Sequence, residues 1–190
     1  CDGICIDTSM GMTPLEGLVM GSRCGDLDPA IHFHLSRTLG MTLDEIEVLL
    51  YQQSGMKGLC GLSDMREVQE MAIQGNQKAR LAIEICCYRI CKYIGAYYVA
   101  LGGLDALIFT AGIGENDARL RQSVCDKLSI LGITLDEQKN QSRSRLTRDI
   151  SSANSSISVL VIPTNEELEI ARQTITILNS RTNQQPQSAE

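Results

Sequence analysis

Apolar residues recur along this chain with two spacings, and the alternation between them predicts its elements. Thr42 and Glu45 frame a capping box, and Leu43, Ile46, Leu49 and Leu50 follow at helical spacing. That helix is expected to stop near Ser54 and Gly55. The glycine-rich stretch GMKGLCGLSD reads as a connection to a short helix over residues 64–74, closed by Gly75. Asn76 is placed to cap a long helix in which Ala79, Ile83, Cys86, Ile90, Tyr93 and Tyr97 form one stripe. About 25 residues at 1.5 Å each reach roughly 37 Å, enough to cross one face of a domain.

Two runs are apolar almost throughout, LDALIFT (residues 104–110) and SISVLVIP (residues 156–163). Both have strand length, as buried parallel strands do. A loop, AGIGEN, follows the first, and Asn116 is expected to cap a helix carrying Leu120, Val124 and Leu128 that Gly132 ends. Residues 136–156 are rich in Ser, Arg and Asn and are expected at the surface. After the second run, Thr164 and Glu167 fit another capping box, and the helix they open should turn Leu168, Ala171, Ile175 and Leu178 inward. Asp2-Gly3 is a hairpin dipeptide with residues 4–8 as its return strand. Only Cys1 precedes it, so the partner strand and the true N-terminus are expected upstream. The stretch from Asn179 on, NSRTNQQPQSAE, lacks large apolar residues and is expected to be disordered. No internal repeat is evident. Strands alternate with helices, which makes the class α/β with a largely parallel central sheet.

The 190 residues, 43% hydrophobic and 21% charged, suit one soluble domain with a sizeable core. A formal net charge of −6 argues against general affinity for nucleic acid. No apolar run approaches the roughly 18 residues of a membrane span, and no signal-peptide pattern is visible. Cys87 and Cys91 are i, i+4 neighbours and could share a metal, but no CxxC occurs among the eight cysteines. The two histidines, His32 and His34, are distant from them and spaced like strand neighbours, which suits packed side chains better than catalysts. Free, mostly buried thiols in a reducing cytoplasm account for the cysteine pattern.

Two strand-to-helix junctions carry candidate chemistry, because ligands of such sheets gather where strands end. Gly112, Ile113, Gly114, Glu115 and Asn116 let backbone approach a ligand closely, with a helix N-terminus offered to phosphate. A ligand-free tight turn explains them equally well, since the dinucleotide fingerprint fails at Asp117 and no P-loop occurs. At the second junction the capping box occupies Glu167 and leaves Glu166 without a structural task. Glu166 is either a magnesium carboxylate or a surface acid on the helix dipole. Arg23, between Gly21 and Gly25, can meet phosphate in a bidentate fork or simply be solvated. Ser63-Asp64-Met65-Arg66 alone is mostly a capping signal.

Taken together, DTSMGMTPLEGLVMGSRCGDLDPAI, GLSDMR, FTAGIGEN and VIPTNEELEIA resemble, in order and spacing, the acetate and propionate kinase family. The resemblance runs from about Asp7 to Leu178. It implies a ribonuclease H-like α/β domain of the actin, Hsp70 and sugar kinase superfamily, with a central mixed sheet flanked by helices. Residues 1–178 would be the C-terminal nucleotide-binding domain of a two-domain kinase, and residues 179–190 its tail. The family's chains are about twice this length, so an N-terminal half with most of the acid-binding residues is expected upstream, and these residues alone are expected to be inactive.

At matching positions the resemblance implies that Arg23, in GSRCGD where the family usually reads GTRSGD, stabilises the phosphoryl-transfer transition state. Asp64, Met65 and Arg66 would contact adenosine, although one Ser common before them in the family is absent here. Gly112 to Asn116 would bind nucleotide, and Glu166 would hold Mg²⁺, with Mn²⁺ as an alternative ion. The implied reaction converts ATP and acetate to ADP and acetyl phosphate, in a cytoplasmic homodimer whose partners are nucleotide and a short-chain carboxylate or acyl phosphate. Propionate is the alternative acid. A non-catalytic nucleotide-binding or dimerisation module is the alternative of a different class.

Overall fold

A computed structural model describes residues 2–182. The chain forms α1 (Ala30–Leu39), α2 (Leu43–Gln52), α3 (Gly55–Cys60), α4 (Met65–Ile73) and α5 (Gln77–Leu101) before its first strand. Then come β1 (Ala106–Phe109), α6 (Ala111–Asn116), α7 (Ala118–Lys127), a 3-10 turn (Ser129–Leu131) and α8 (Glu137–Gln141). β2 (Arg148–Asp149), β3 (Ser158–Val161) and α9 (Glu166–Thr182) complete the order. The sheet runs β1-β3-β2 and is mixed. β1 and β3 pair in parallel, Ala106 beside Ser158 through Phe109 beside Val161, and β2 lies antiparallel on the other edge of β3.

Local signals made several of these elements. The Thr42–Glu45 capping box forms reciprocally: the Glu45 N–H donates to Thr42 Oγ1 at 3.3 Å and the Thr42 N–H to Glu45 Oε2 at 2.8 Å. Asn76 caps α5 by accepting the Ala79 N–H at 3.1 Å, and α5 has the expected 25 residues. Its face toward the core carries Ala79, Ala82, Cys86 and Cys87, all buried, with Ile83 and Ile90 packed beside them. Small residues there let α3, α4 and α7 approach the long helix closely. On the sheet side, Val159, Val161, Ile150 and Ile157 join Val68, Leu120, Val124 and Ile133 in the same core. Each such aliphatic side chain contributes about 1.5–3 kcal/mol on burial.

Other expectations are corrected. His32 and His34 lie on a helix, α1, not a strand. The GMKGLC part of the expected connection is α3. AGIGEN is a helical turn, α6, not a loop, and Asp117, not Asn116, caps the helix after it by accepting the Leu120 N–H at 2.9 Å. The polar stretch 136–156 is not simply surface: it contains α8 and β2, and Asn140, Ile150 and Ser151 are buried. Its Ser and Asn residues serve as internal hydrogen-bond partners. Thr164 does not cap α9. Asn165 does, accepting the Leu168 N–H at 3.1 Å, so no Thr164–Glu167 box exists. Leu168, Ala171, Ile175 and Leu178 are exposed rather than turned inward. Asp2 and Gly3 have the two positive φ values of the expected turn, 50° and 77°, but residues 4–8 lie in no strand. α9 carries residues 179–182 as helix, and the rest of the expected tail lies outside the described residues.

The segment holding Arg23 is pinned against α2 and α3. Cys24 N–H donates to Leu50 O at 3.1 Å, Ser54 N–H to Ser22 O at 3.0 Å, and Met56 N–H to Met20 O at 2.9 Å. Gly55 makes this possible. Its φ is +61°, and a Cβ there would lie 2.2 Å from Met20 O and 2.5 Å from Arg23 O. Gly55→Ala is therefore expected to cost more than the roughly 1–3 kcal/mol of left-handed strain alone, because backbone must also move. Urea denaturation of the variant beside wild type measures this, and a loss under 1 kcal/mol would show that the loop is not held as described.

Candidate active site

Three contacts join the sequence-predicted segments in series. The Arg23 loop meets the residue before Asp64: a Cβ on Gly21 would sit 2.6 Å from Ser63 O. α4, which Asp64 caps, meets the junction after β1 through Gln69, whose Nε2 donates to Asp117 Oδ2 at 3.1 Å. That junction meets the one after β3 through Glu115, whose Oε1 accepts the Thr164 N–H at 2.9 Å and the Thr164 hydroxyl at 3.2 Å. Glu166 lies two residues further, in the first turn of α9.

The Arg23 side chain is half-buried, its guanidinium 6.0 Å above the Tyr51 ring. Among the described residues no carboxylate lies within ion-pair distance of it. Its charge is held in place by ring and loop but left unneutralised, which suits it to an incoming anion. Asp26, further along the same loop, fixes that loop to α5. Its carboxylate accepts the Gly17 N–H at 2.9 Å and the Tyr93 hydroxyl at 2.8 Å, and pairs with Arg89 at 3.3 Å. Burial, then the hydrogen bond to Asp26, pushes the Tyr93 hydroxyl up to about 12.

Within α6 the two glycines differ. A Cβ on Gly114 would lie 3.2 Å from the Phe109 carbonyl carbon, a tight approach to β1 that a side chain there could make only if the backbone gave by a few tenths of an ångström. Gly112 faces open space, so its bare backbone is accessible to a ligand. Asn116 donates to Gly112 O at 2.8 Å, closing the turn. At the start of α7, Asp117 takes one of the N–H groups expected to be free for phosphate, that of Leu120, while α6 has no side-chain cap. Beside the turn, Glu115, Asn116, Ser144, Leu146, Thr147 and Thr164 line a cleft of about 610 Å³.

Sequence reasoning missed what holds α6 from behind. Arg121, 1% exposed, donates from Nη1 to Gly114 O at 2.8 Å and Glu115 O at 3.0 Å, and from Nε and Nη2 to Asn140 at 2.8 and 2.7 Å. Desolvation, with Arg148 nearby, lowers its pKa. Arg148 adds a bond to Glu115 O at 3.2 Å. A signal existed: Arg121 lies three and four residues before Val124 and Cys125, a charge inside an apolar helix face.

Glu166 is exposed and accepts no hydrogen bond among the described residues, nor do those residues hold a cluster of three or more side chains able to cage a metal. One free oxygen ligand fits a magnesium ion that keeps waters and takes its remaining oxygens from phosphates. Cys86, Cys87 and Cys125 are buried free thiols, pushed by burial to about 11, 12 and 12.

Arg66 reaches back to Asp64 with a bond at 3.0 Å from Nε, and the bonds from its side chain and then its backbone N–H pull the Asp64 carboxyl down to about 2. A lowered folded pKa means that this pair stabilises above pH 3.8 and stops doing so as pH falls toward about 2. The Asp64 carboxyl is expected to titrate near pH 2 by NMR in the wild type. In Arg66→Gln the midpoint should rise toward 3.8. An unchanged midpoint would mean that the pair does not persist in solution.

The acetokinase family model matches residues 1–172. The acetate kinase of Oleidesulfovibrio alaskensis is 52% identical over 177 residues, covering 93% of this chain and 44% of that protein. A crystal structure of a propionate kinase from Francisella tularensis superposes with a TM-score of 0.82 at 49% identity, over 87% of this chain and 42% of that one. The acetate kinase structure from Porphyromonas gingivalis gives 0.83 at 43% identity, over 90% and 43%. The chain thus spans less than half the length of these relatives, and it belongs to the acetokinase family.

Proposed function

We propose that this chain forms the nucleotide-binding side of a kinase that transfers phosphoryl groups between ATP and acetate. The observation that carries this reading is the contact series itself: the Arg23 loop, the helix that Asp64 starts, the Gly112–Asn116 turn and the strand-end before Glu166 are joined one to the next. Phosphoryl transfer asks a protein for positioning and charge neutralisation, and little covalent work. Arg23 offers a charge with no carboxylate against it. Gly112 offers exposed backbone, and the exposed Arg66 at the start of α4 offers a surface for adenosine.

Glu166 would hold a magnesium ion, which when bound neutralises phosphate charge. Asn165, by capping α9, fixes where that carboxylate starts. Acetate rather than propionate is the proposed acid, because curated relatives at 52–57% identity are acetate kinases. The difference rests on one methylene, worth about 1–3 kcal/mol in a pocket. Among the described residues no helix is long and apolar enough to cross a membrane. A cytoplasmic homodimer is the proposed assembly, as the resemblance implies.

In the protein carrying the rest of its relatives' length, Arg23→Ala is expected to lower kcat by about 10²–10³-fold, with a much smaller change in ATP affinity. A near-normal kcat refutes the assignment. In the same protein a magnesium titration of rate separates two adjacent acids. Glu166→Ala should raise the magnesium needed for half-maximal rate without changing the melting temperature. Glu167→Ala should change neither, since Asn165 and not Thr164 is the cap. Reversal of the two behaviours moves the metal role to Glu167.

A further inference from the structure

Glu115 stands inside the turn assigned to nucleotide, yet its functional groups are engaged elsewhere. Its carboxylate takes both the N–H and the hydroxyl of Thr164, and the backbone N–H of Ala111, at the other end of α6, also draws on it. Its carbonyl is gripped by Arg121 at 3.0 Å and Arg148 at 3.2 Å. Arg121 is buried and locked on Asn140, so this grip has a rigid base. On the other side, among the described residues the start of α9 has no such base: Leu168 and Ile175 are 45% and 58% exposed. What the described residues offer instead, where α9 starts, is the Asn165 cap and the tie from Thr164 to Glu115.

We propose that Glu115 is a positioning residue that locks the β1–α6 junction to the β3–α9 junction and so sets the place of Glu166. The Glu115 carboxylate acts on the metal site through Thr164, not as a ligand. Thr164 is tied to Glu115 by both its N–H and its hydroxyl, and the cap of α9 is the next residue, Asn165. The link to catalysis rests on the reading of Glu166 as the magnesium carboxylate; the lock itself does not.

The lock is read directly by amide hydrogen exchange at Thr164 in the 190-residue chain. Glu115→Ala is expected to speed exchange of this amide by about tenfold, the worth of one hydrogen bond, while Glu115→Gln, which keeps an acceptor oxygen, stays near wild type. Unchanged exchange in Glu115→Ala overturns the lock. Its consequence is read by Mn²⁺ binding, followed by electron paramagnetic resonance with ADP present and no turnover, in the protein completed to its relatives' length. Glu115→Ala should weaken Mn²⁺ binding by about 10-fold or more, as loss of an outer-shell partner does, a larger loss than that of metal-free ADP affinity, with Glu115→Gln again near wild type. The Glu115→Ala/Glu166→Ala double variant should bind Mn²⁺ no worse than Glu166→Ala. A loss of metal-free ADP affinity as large as the loss of Mn²⁺ affinity in Glu115→Ala would instead overturn the positioning role and make the residue chiefly a direct nucleotide contact. If Glu166→Ala itself leaves Mn²⁺ affinity unchanged, the metal reading of Glu166 fails, and the Thr164 amide alone decides the lock.

Discussion

Everything at the candidate site depends on the parallel pairing of β1 with β3. Parallel strands end on the same side of their sheet, and here the register sets Phe109 beside Val161, so both chains leave together. The Ile162 N–H, donating to Phe109 O at 3.0 Å, extends the pairing past the last strand residue. Only because of that register do Glu115 and Thr164 meet, 49 residues apart in sequence. A one-residue slip would invert which side chains reach the core, and Val159 and Val161, both fully buried, forbid it.

Around this pair the protein treats its charges in three ways. Arg121 is buried and satisfied by neutral oxygens of Gly114, Glu115 and Asn140, an arrangement that fixes backbone at the expense of desolvation. Asp26 is half-buried and shared between Arg89, Tyr93 and the Gly17 N–H, which docks a long loop on α5. Arg23 is left without a carboxylate and steadied by a ring. The first two kinds build the scaffold, and the third is the kind that a phosphate can use.

Elements with strong local signals were legible in the sequence: the Thr42 box, the Asn76 cap, the stripe of α5 and the two apolar strands. Their physics is contained within a few neighbouring residues. The errors fall where two adjacent residues can do one job. Asn116 and Asp117 can both cap, as can Thr164 and Asn165; the residue passed over in each pair makes another bond, Asn116 to Gly112 four residues back and Thr164 to Glu115 across the fold. The antiparallel strand β2 and the buried Arg121–Asn140 pair were illegible because neither makes sense without its partner across the fold. The candidate site residues themselves were found through resemblance, since each had an ordinary local explanation.

The depth of the thiols has a practical consequence. Cys86, Cys87 and Cys125 sit in the core with their protons held tightly, while Cys5 is exposed. Thiolates, not thiols, react with alkylating reagents. Among the described residues Cys5 is exposed, Cys24, Cys60 and Cys91 are half-buried, and the three in the core become reactive only when α5 and α7 part. The chain carries its own chemical clock for opening of its core, and counting modified sulfurs over time would read it without any added label.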